Sequence, residues 1–181
     1  MKKSLFVLFF LCVVSAFFAP VKAFAQTNRV EVRFDYARQT KMASNQFAVW
    51  IEDAQGRYIK TLYATKYTAA GGWKRREQSI PLWVRQSNLA EMSATQIDAI
   101  SGPTPRSGAL SYTWDGTDST GRPLPNGEYR VLVEASLYQE NRVLYTATVR
   151  LGANGQTNAQ AQYFGSSTAE RRMLGAVTVT Y

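Results

Sequence analysis

The chain has 181 residues, 45% of them hydrophobic and 19% charged, which is the balance of a polypeptide that folds as one domain of ordinary size rather than a disordered one. It contains no histidine and a single cysteine, which excludes Ser-His-Asp and Cys-His catalysis, HExxH metalloprotease chemistry, internal disulfides and any zinc site built on nitrogen and sulfur. The 21 basic residues outnumber the 13 acidic ones by too little to argue for nucleic acid, especially once the basic leader described next is set aside.

Met1-Lys2-Lys3 is a charged start, Ser4 to Ala19 is an apolar run, and Ala23-Phe24-Ala25 is an A-x-A cleavage site. Residues 1–25 therefore read as a secretory signal peptide cleaved after Ala25, with 26–181 as a single domain and a periplasmic or secreted location. Cys12 lies within the apolar run, and Phe9, Phe10 and Leu11 before it lack the small residue of a lipoprotein cleavage site. No later apolar run approaches the ~18 residues of a membrane span, so none is expected in the mature chain.

Val30, Val32, Phe34 and Tyr36 alternate with Glu31, Arg33 and Asp35, the period-2 pattern of a strand buried on one face. Phe47 to Glu52 and Tyr58 to Ala64 are β-rich runs joined by Asp53-Ala54-Gln55-Gly56, a hairpin turn with glycine for positive φ. Gly71 to Gly102 does not read as strand: Ser79 as N-cap, Pro81 in a first turn and loosely helical apolar spacing predict one or two short helices covering an end of the fold. Leu110 to Trp114 is a further strand.

Tyr129 to Leu137 and Val143 to Leu151 present matching apolar faces and predict a hairpin through Gln139-Glu140-Asn141. Ala153 to Arg172, rich in Gly, Asn, Gln, Ser and Thr, predicts a long mobile loop or a poorly ordered edge hairpin. A last strand is expected from about Leu174 to Tyr181. One-sided strands in this number bury themselves by pairing sheets, so the fold expected is an all-β, immunoglobulin-like antiparallel sandwich of about seven strands with one or two short helices.

The run from Trp114 to Tyr129 has the chemistry of a structured loop, with Asp115 and Asp118 in Asx turns, prolines holding extended chain, and Trp114 and Tyr129 facing the core. It resembles a hairpin of the immunoglobulin-like domain of flagellar hook-capping proteins, which speaks for the fold. It does not match a calcium loop. Trp73-Lys74-Arg75-Arg76, with Lys60 and Lys66 near in sequence, is the densest basic cluster; arginine forks there suit a phosphate or an acidic partner, and a solvated loop of scattered charge is its plainer reading. Of the close carboxylates, Glu52 and Asp53 should point to opposite faces of a strand and Asp115 and Asp118 should serve turns, so neither makes a glycosidase pair.

Read together, Gln46 to Arg57, Lys60-Thr61-Leu62, Trp73, Leu82-Trp83, Asp98 to Thr104 and the Trp114 to Tyr129 loop resemble the predicted periplasmic family called domain of unknown function 2271, over roughly Arg29 to Tyr138. The resemblance implies an exported bacterial protein, and members tend to be linked with periplasmic flavin transferase systems. Asp98-Ala99-Ile100-Ser101-Gly102-Pro103-Thr104 is in turn similar to the acceptor motif D-x-x-S/T-G-A-T of such transferases, with Asp98, Ser101 and Gly102 at motif positions, Thr104 as the residue that would carry FMN through a phosphodiester, and Pro103 in place of alanine. The motif needs an exposed hydroxyl on a flexible turn; a plain Gly/Pro turn is the competing reading.

The function expected is that of an exported, non-catalytic binding or scaffold protein of a bacterial envelope with an envelope protein partner. The alternative is a covalent FMN carrier, partnered by a periplasmic flavin transferase, in extracytoplasmic electron transfer. No metal site and no nucleic-acid partner are expected.

Overall fold

The computed structural model describes residues 29–40, 44–138, 140–165 and 172–181, so the leader and its cleavage site lie outside the described residues. Alternation decides the first strand: β1 (Val30–Tyr36) buries Val30, Val32, Phe34 and Tyr36 and turns Arg33 and Asp35 to solvent. In chain order follow β2 (Gln46–Asp53), β3 (Tyr58–Thr65), α1 (Lys66–Ala69), α2 (Pro81–Gln86), α3 (Ala94–Ile100), β4 (Ser101–Gly102), β5 (Gly108–Trp114), β6 (Gly127–Tyr138), β7 (Asn141–Leu151), β8 (Gln156–Asn158), β9 (Gln160–Phe164) and β10 (Thr178–Thr180). Short 3₁₀ turns occupy Gly72–Lys74 and Leu89–Glu91.

The strands form two sheets, of order β5-β1-β10-β8 and β4-β3-β2-β6-β7-β9. Val32, Phe34, Trp114 and Val179 of the first meet Val49, Ile51, Val131, Val133 and Val149 of the second in one apolar core. The fold is thus an all-β sandwich. It has ten described strands where about seven were expected, and the additions, β4, β8 and β9, have two, three and five residues with no alternating apolar face to announce them. The last strand is shorter than expected, Thr178–Thr180, with Leu174 joined to Tyr36 by a single bridge.

The predicted hairpin of β2 and β3 forms around a turn in which Gly56 has φ 80° and Gly56 N donates to Asp53 O at 3.0 Å. The β6–β7 hairpin pairs from Gly127↔Leu151 to Tyr138↔Asn141. Of the two expectations for Ala153 to Arg172, a long mobile loop or a poorly ordered edge hairpin, the described part is nearer the second, with short strands at sheet edges: β8 pairs with β10 and β9 with β7, one in each sheet. Its exposed Gln and Ala side chains carry no pattern because backbone pairing to the open edge of β7 holds it; residues 166–171 lie outside the described residues.

The helical segment departs further from expectation. It lies on the outer face of the six-stranded sheet rather than over an end, in a second core where Ile80, Trp83 and Leu89 pack on Ala48 and Trp50 of β2 and Leu132 of β6. Three helices form, α1 following β3 directly. Ser79 does not cap α2: Ile80 holds the N-cap position at φ 44° and ψ 55° with no side-chain cap, and Pro81 takes the first helical position. The first free N–H groups of α2 go instead to a sheet residue, with Leu82 N and Trp83 N donating to the Glu134 carboxylate at 3.3 and 2.9 Å.

Candidate functional site

The Asp98 to Thr104 segment begins in α3, whose start is fixed by a capping box: Gln96 N donates to Ser93 Oγ at 3.3 Å and Ser93 N to Gln96 Oε1 at 2.8 Å. Asp98 is exposed and paired with Lys66 Nζ at 3.2 Å. Ser101 and Gly102 then form β4, running parallel to Ala64 and Thr65 of β3. The Tyr63 hydroxyl donates to Pro103 O at 2.5 Å, and a Cβ on Gly102 would stand 2.9 Å from the Tyr63 ring, so glycine is what lets the chain close on that tyrosine. Thr104 follows, half-buried, in irregular chain before β5. The structure brings the four motif residues onto one short stretch, yet holds that stretch by strand pairing and the Tyr63 bond rather than leaving a free turn.

Two buried side-chain polar atoms lack a hydrogen-bond partner among the described residues, and one of them belongs to this stretch. One is Ser101 Oγ. The other is the Tyr36 hydroxyl, in an aromatic cluster where Tyr36 and Phe47 stand 5.4 Å apart, Phe47 and Tyr63 5.3 Å, and Tyr63 and Tyr112 5.0 Å between ring centroids. Burial pushes the Tyr36 phenol up to about 12 and raises Tyr63 and Tyr112 as well, so all three stay neutral. Orphaned buried hydroxyls are uncommon enough to mark a location.

Beside the motif opens a cleft of about 600 Å³ between α3, β3 and the loop after β5. Leu62, Met92, Ala99 and Ile100 give it an apolar wall. Lys60, Asn88, Glu91 and Thr120 give it a polar one. Asn88 is left-handed at φ 52°, a conformation asparagine tolerates and bulkier residues avoid. Lys60 is already engaged, with Nζ 3.2 Å from Asp115 Oδ1 and 2.7 Å from Thr117 Oγ1. Sequence reasoning did not find this cleft, because its lining comes from stretches far apart in the chain and no one of them carries a motif.

A family model described as predicted periplasmic protein (DUF2271) matches residues 27–168. The chain belongs to that family. No curated protein and no solved structure matches it.

In this DUF2271 chain the remaining sequence motifs have structural duties. Trp114 is fully buried, its ring 5.0 Å from that of Tyr129, and its Nε1 donates to Thr117 O at 2.8 Å. Asp118 accepts from the Thr120 hydroxyl at 2.6 Å and from Thr120 N and Arg122 N; these bonds, the Thr120 hydroxyl foremost, hold its carboxyl well below the usual range. Glu52 is buried and accepts from Trp50 Nε1 at 2.9 Å, while Asp53 serves the hairpin turn through Gln55 N and Arg57 N, so the adjacent acids do divide between faces. Lys60 pairs with Asp115 and Lys66 with Asp98. Among the described residues no helix is long and apolar enough to cross a membrane.

Proposed function

We propose that this periplasmic-family chain is a non-catalytic binding module whose ligand-facing site is the cleft between α3 and β3. The observation that carries this reading is the pairing, in about 600 Å³, of an apolar wall with a polar wall that holds one lysine and one carboxylate among uncharged donors and acceptors, the usual make-up of a small-molecule pocket. Glu91 is the one carboxylate on the lining, so a paired-acid mechanism has no second group, and the chain holds no histidine to serve as base. The test is a thermal-shift titration with riboflavin, FMN and a malto-oligosaccharide. A ligand at 100 times its Kd raises stability by about 2.7 kcal/mol, and Ala99→Trp, which fills the cleft, should erase the shift. A shift that survives Ala99→Trp, or none with any probe, sinks the reading.

A second reading, the covalent FMN carrier, is favoured by the orphaned Ser101 hydroxyl at the fourth position of the acceptor-like heptapeptide. Thr104 would hold the flavin phosphate, and the flavin, not the protein, would supply redox chemistry. Pro103 departs from the motif and fixes the chain where alanine is usual. Co-expression with a periplasmic flavin transferase should add the mass of FMN to the wild type, more to Pro103→Ala and none to Thr104→Ala. If neither wild type nor Pro103→Ala gains it, the heptapeptide is a Gly/Pro turn.

A further inference from the structure

The large hydrophobic side chains exposed among the described residues are Tyr67, Tyr138 and Tyr163, and two of them flank one arginine. Arg76 Cζ lies 5.5 Å from the Tyr67 ring centroid, and Arg76 also shares with Tyr138 the lining of a second cavity, of about 140 Å³. Tyr67 is 43% and Tyr138 41% exposed. Next to them Lys74, Arg75 and Arg76 are all exposed, with the Lys74 ammonium 5.5 Å from the Trp73 ring centroid.

The polar groups of this cavity divide by what they have left to give. Ser136 Oγ accepts from Ile80 N at 2.8 Å and donates to Gln78 O at 3.1 Å, and Ser44 Oγ donates to Leu137 O at 2.9 Å, so both hydroxyls are spent on backbone. Arg76, Gln78, Ser79 and Tyr138 complete the lining, and no carboxylate is among the described residues that form it. Glu77 is the acid next in sequence, and it is exposed. Donors gathered around a guanidinium without an acid select an oxyanion. The cavity, of about 140 Å³, has room for one phosphate group.

The rim decides what bears that phosphate. A free ion needs neither exposed tyrosines nor further cations, whereas amphipathic aromatic rings mixed with Lys and Arg are what the headgroup layer of a bilayer takes up. We propose that this face docks on an anionic phospholipid membrane, with Arg76 and its cavity receiving a headgroup phosphate and Tyr67 and Tyr138 entering the interface on either side.

The test is sedimentation of the purified mature chain, residues 26–181 without the apolar leader, with vesicles of phosphatidylcholine alone and of phosphatidylcholine mixed with phosphatidylglycerol. Binding should require the anionic lipid, weaken with salt, and fall about fivefold in Arg76→Gln, the change that ~1 kcal/mol per surface cation converts to. Tyr67→Ala and Tyr138→Ala should each weaken it again with the circular dichroism of the sheet intact. Arg150→Gln removes the same charge at the far end of the β6–β7 hairpin, where Arg150 lies opposite Glu128, and should leave binding unchanged. No binding to the mixed vesicles overturns the proposal. So does an equal loss in Arg150→Gln, which would mean unspecific attraction, or saturation by inorganic phosphate without vesicle binding, which would mean a free-ion site.

Discussion

On its inner face the six-stranded sheet meets its partner through aliphatic and aromatic side chains such as Phe47, Val49, Ile51, Val131 and Val133. On its outer face it meets the helical layer through Ala48, Trp50 and Leu132, and also through buried polar side chains, among them Gln46, Thr61, Glu134 and Ser136. The difference follows from what each face must hold. Strands of the opposing sheet satisfy their own backbone, so the inner core needs shape and volume alone. Helices of four, six and seven residues are too short to be stable by themselves and leave most of their end groups unpaired. The sheet supplies the missing partners: Gln46 Oε1 accepts from Thr68 N at 3.3 Å as well as from the Thr68 hydroxyl at 3.1 Å, Ser136 Oγ accepts from Ile80 N, and Glu134 takes the start of α2.

The inner core should break by volume. Trp114→Ala removes a fully buried ring that touches Tyr129, and a cost of ~3 to 5 kcal/mol is expected from denaturant unfolding, shared by every probe because the two sheets unfold together. An unchanged midpoint would show that this tryptophan does not hold the sandwich.

The outer core should break by leaving polar groups unpaired. Glu134→Ala strands two α2 N–H groups and the Arg142 guanidinium, which lies 2.9 Å from the carboxylate and 3.7 Å from the Phe164 ring centroid; about 3 kcal/mol is expected. Glu134→Gln separates charge from shape. Burial raises the Glu134 carboxyl above its ordinary value, against the pull of the Trp83 N–H and Arg142. The folded state then holds the proton more tightly than the unfolded one, so this contribution is full below the unfolded value near ~4.3 and is lost as pH rises through the folded value. The cost of Glu134→Gln should therefore shrink from pH 4 upward in urea titrations. A cost that grows with pH would mean that the ion pair dominates.

These two cores also differ in how far the sequence announces them. β1 and β7 are buried on one face, so their alternation could be read directly. In β2 and β6 both faces are buried, and Glu134 and Ser136 look like ordinary outward polar positions until Trp83 and Ile80, more than fifty residues earlier, close over them. The Trp114 to Tyr129 loop was legible because each turn is made by bonds within a few residues, as at Asp118. Of the candidate sites, the Asp98 to Thr104 segment is contiguous and could be found; the cleft depends on β3, α3 and two loops meeting, which no local pattern records.

Ser136→Ala should have a smaller effect than loss of Glu134, because it leaves one donor, Ile80 N, and one acceptor, Gln78 O, without their side-chain partner and removes no charge. About 1 to 2 kcal/mol is expected, with hydrogen exchange quickened at Ile80 and through α2 while Val131 and Val133 keep their protection. Equal acceleration in both places would show one cooperative core instead of two.

The smallest effect belongs to the loop that closes the inner core, where Asp118 is tied by the Thr120 hydroxyl, two backbone N–H groups and the Arg122 guanidinium. Its carboxyl is held below the ordinary range, so its contribution is full above the unfolded value near ~3.9 and is lost as pH falls toward the folded value. Asp118→Asn keeps an acceptor for the turn but removes the acid-sensitive charge. The reporter is Trp114, whose Nε1 donates to Thr117 O in the same loop. In the wild type its indole N–H resonance should hold steady through ~3.9, the ordinary aspartate value, and move only at more acid pH, and in Asp118→Asn that movement should be lost while the resonances of Trp50 and Trp83 on the outer face stay as they were. If the indole resonance titrates alike in both proteins, Asp118 is not what ties this loop to the core, and the acid sensitivity belongs to another carboxylate, with Asp115 at Lys60 the next to replace.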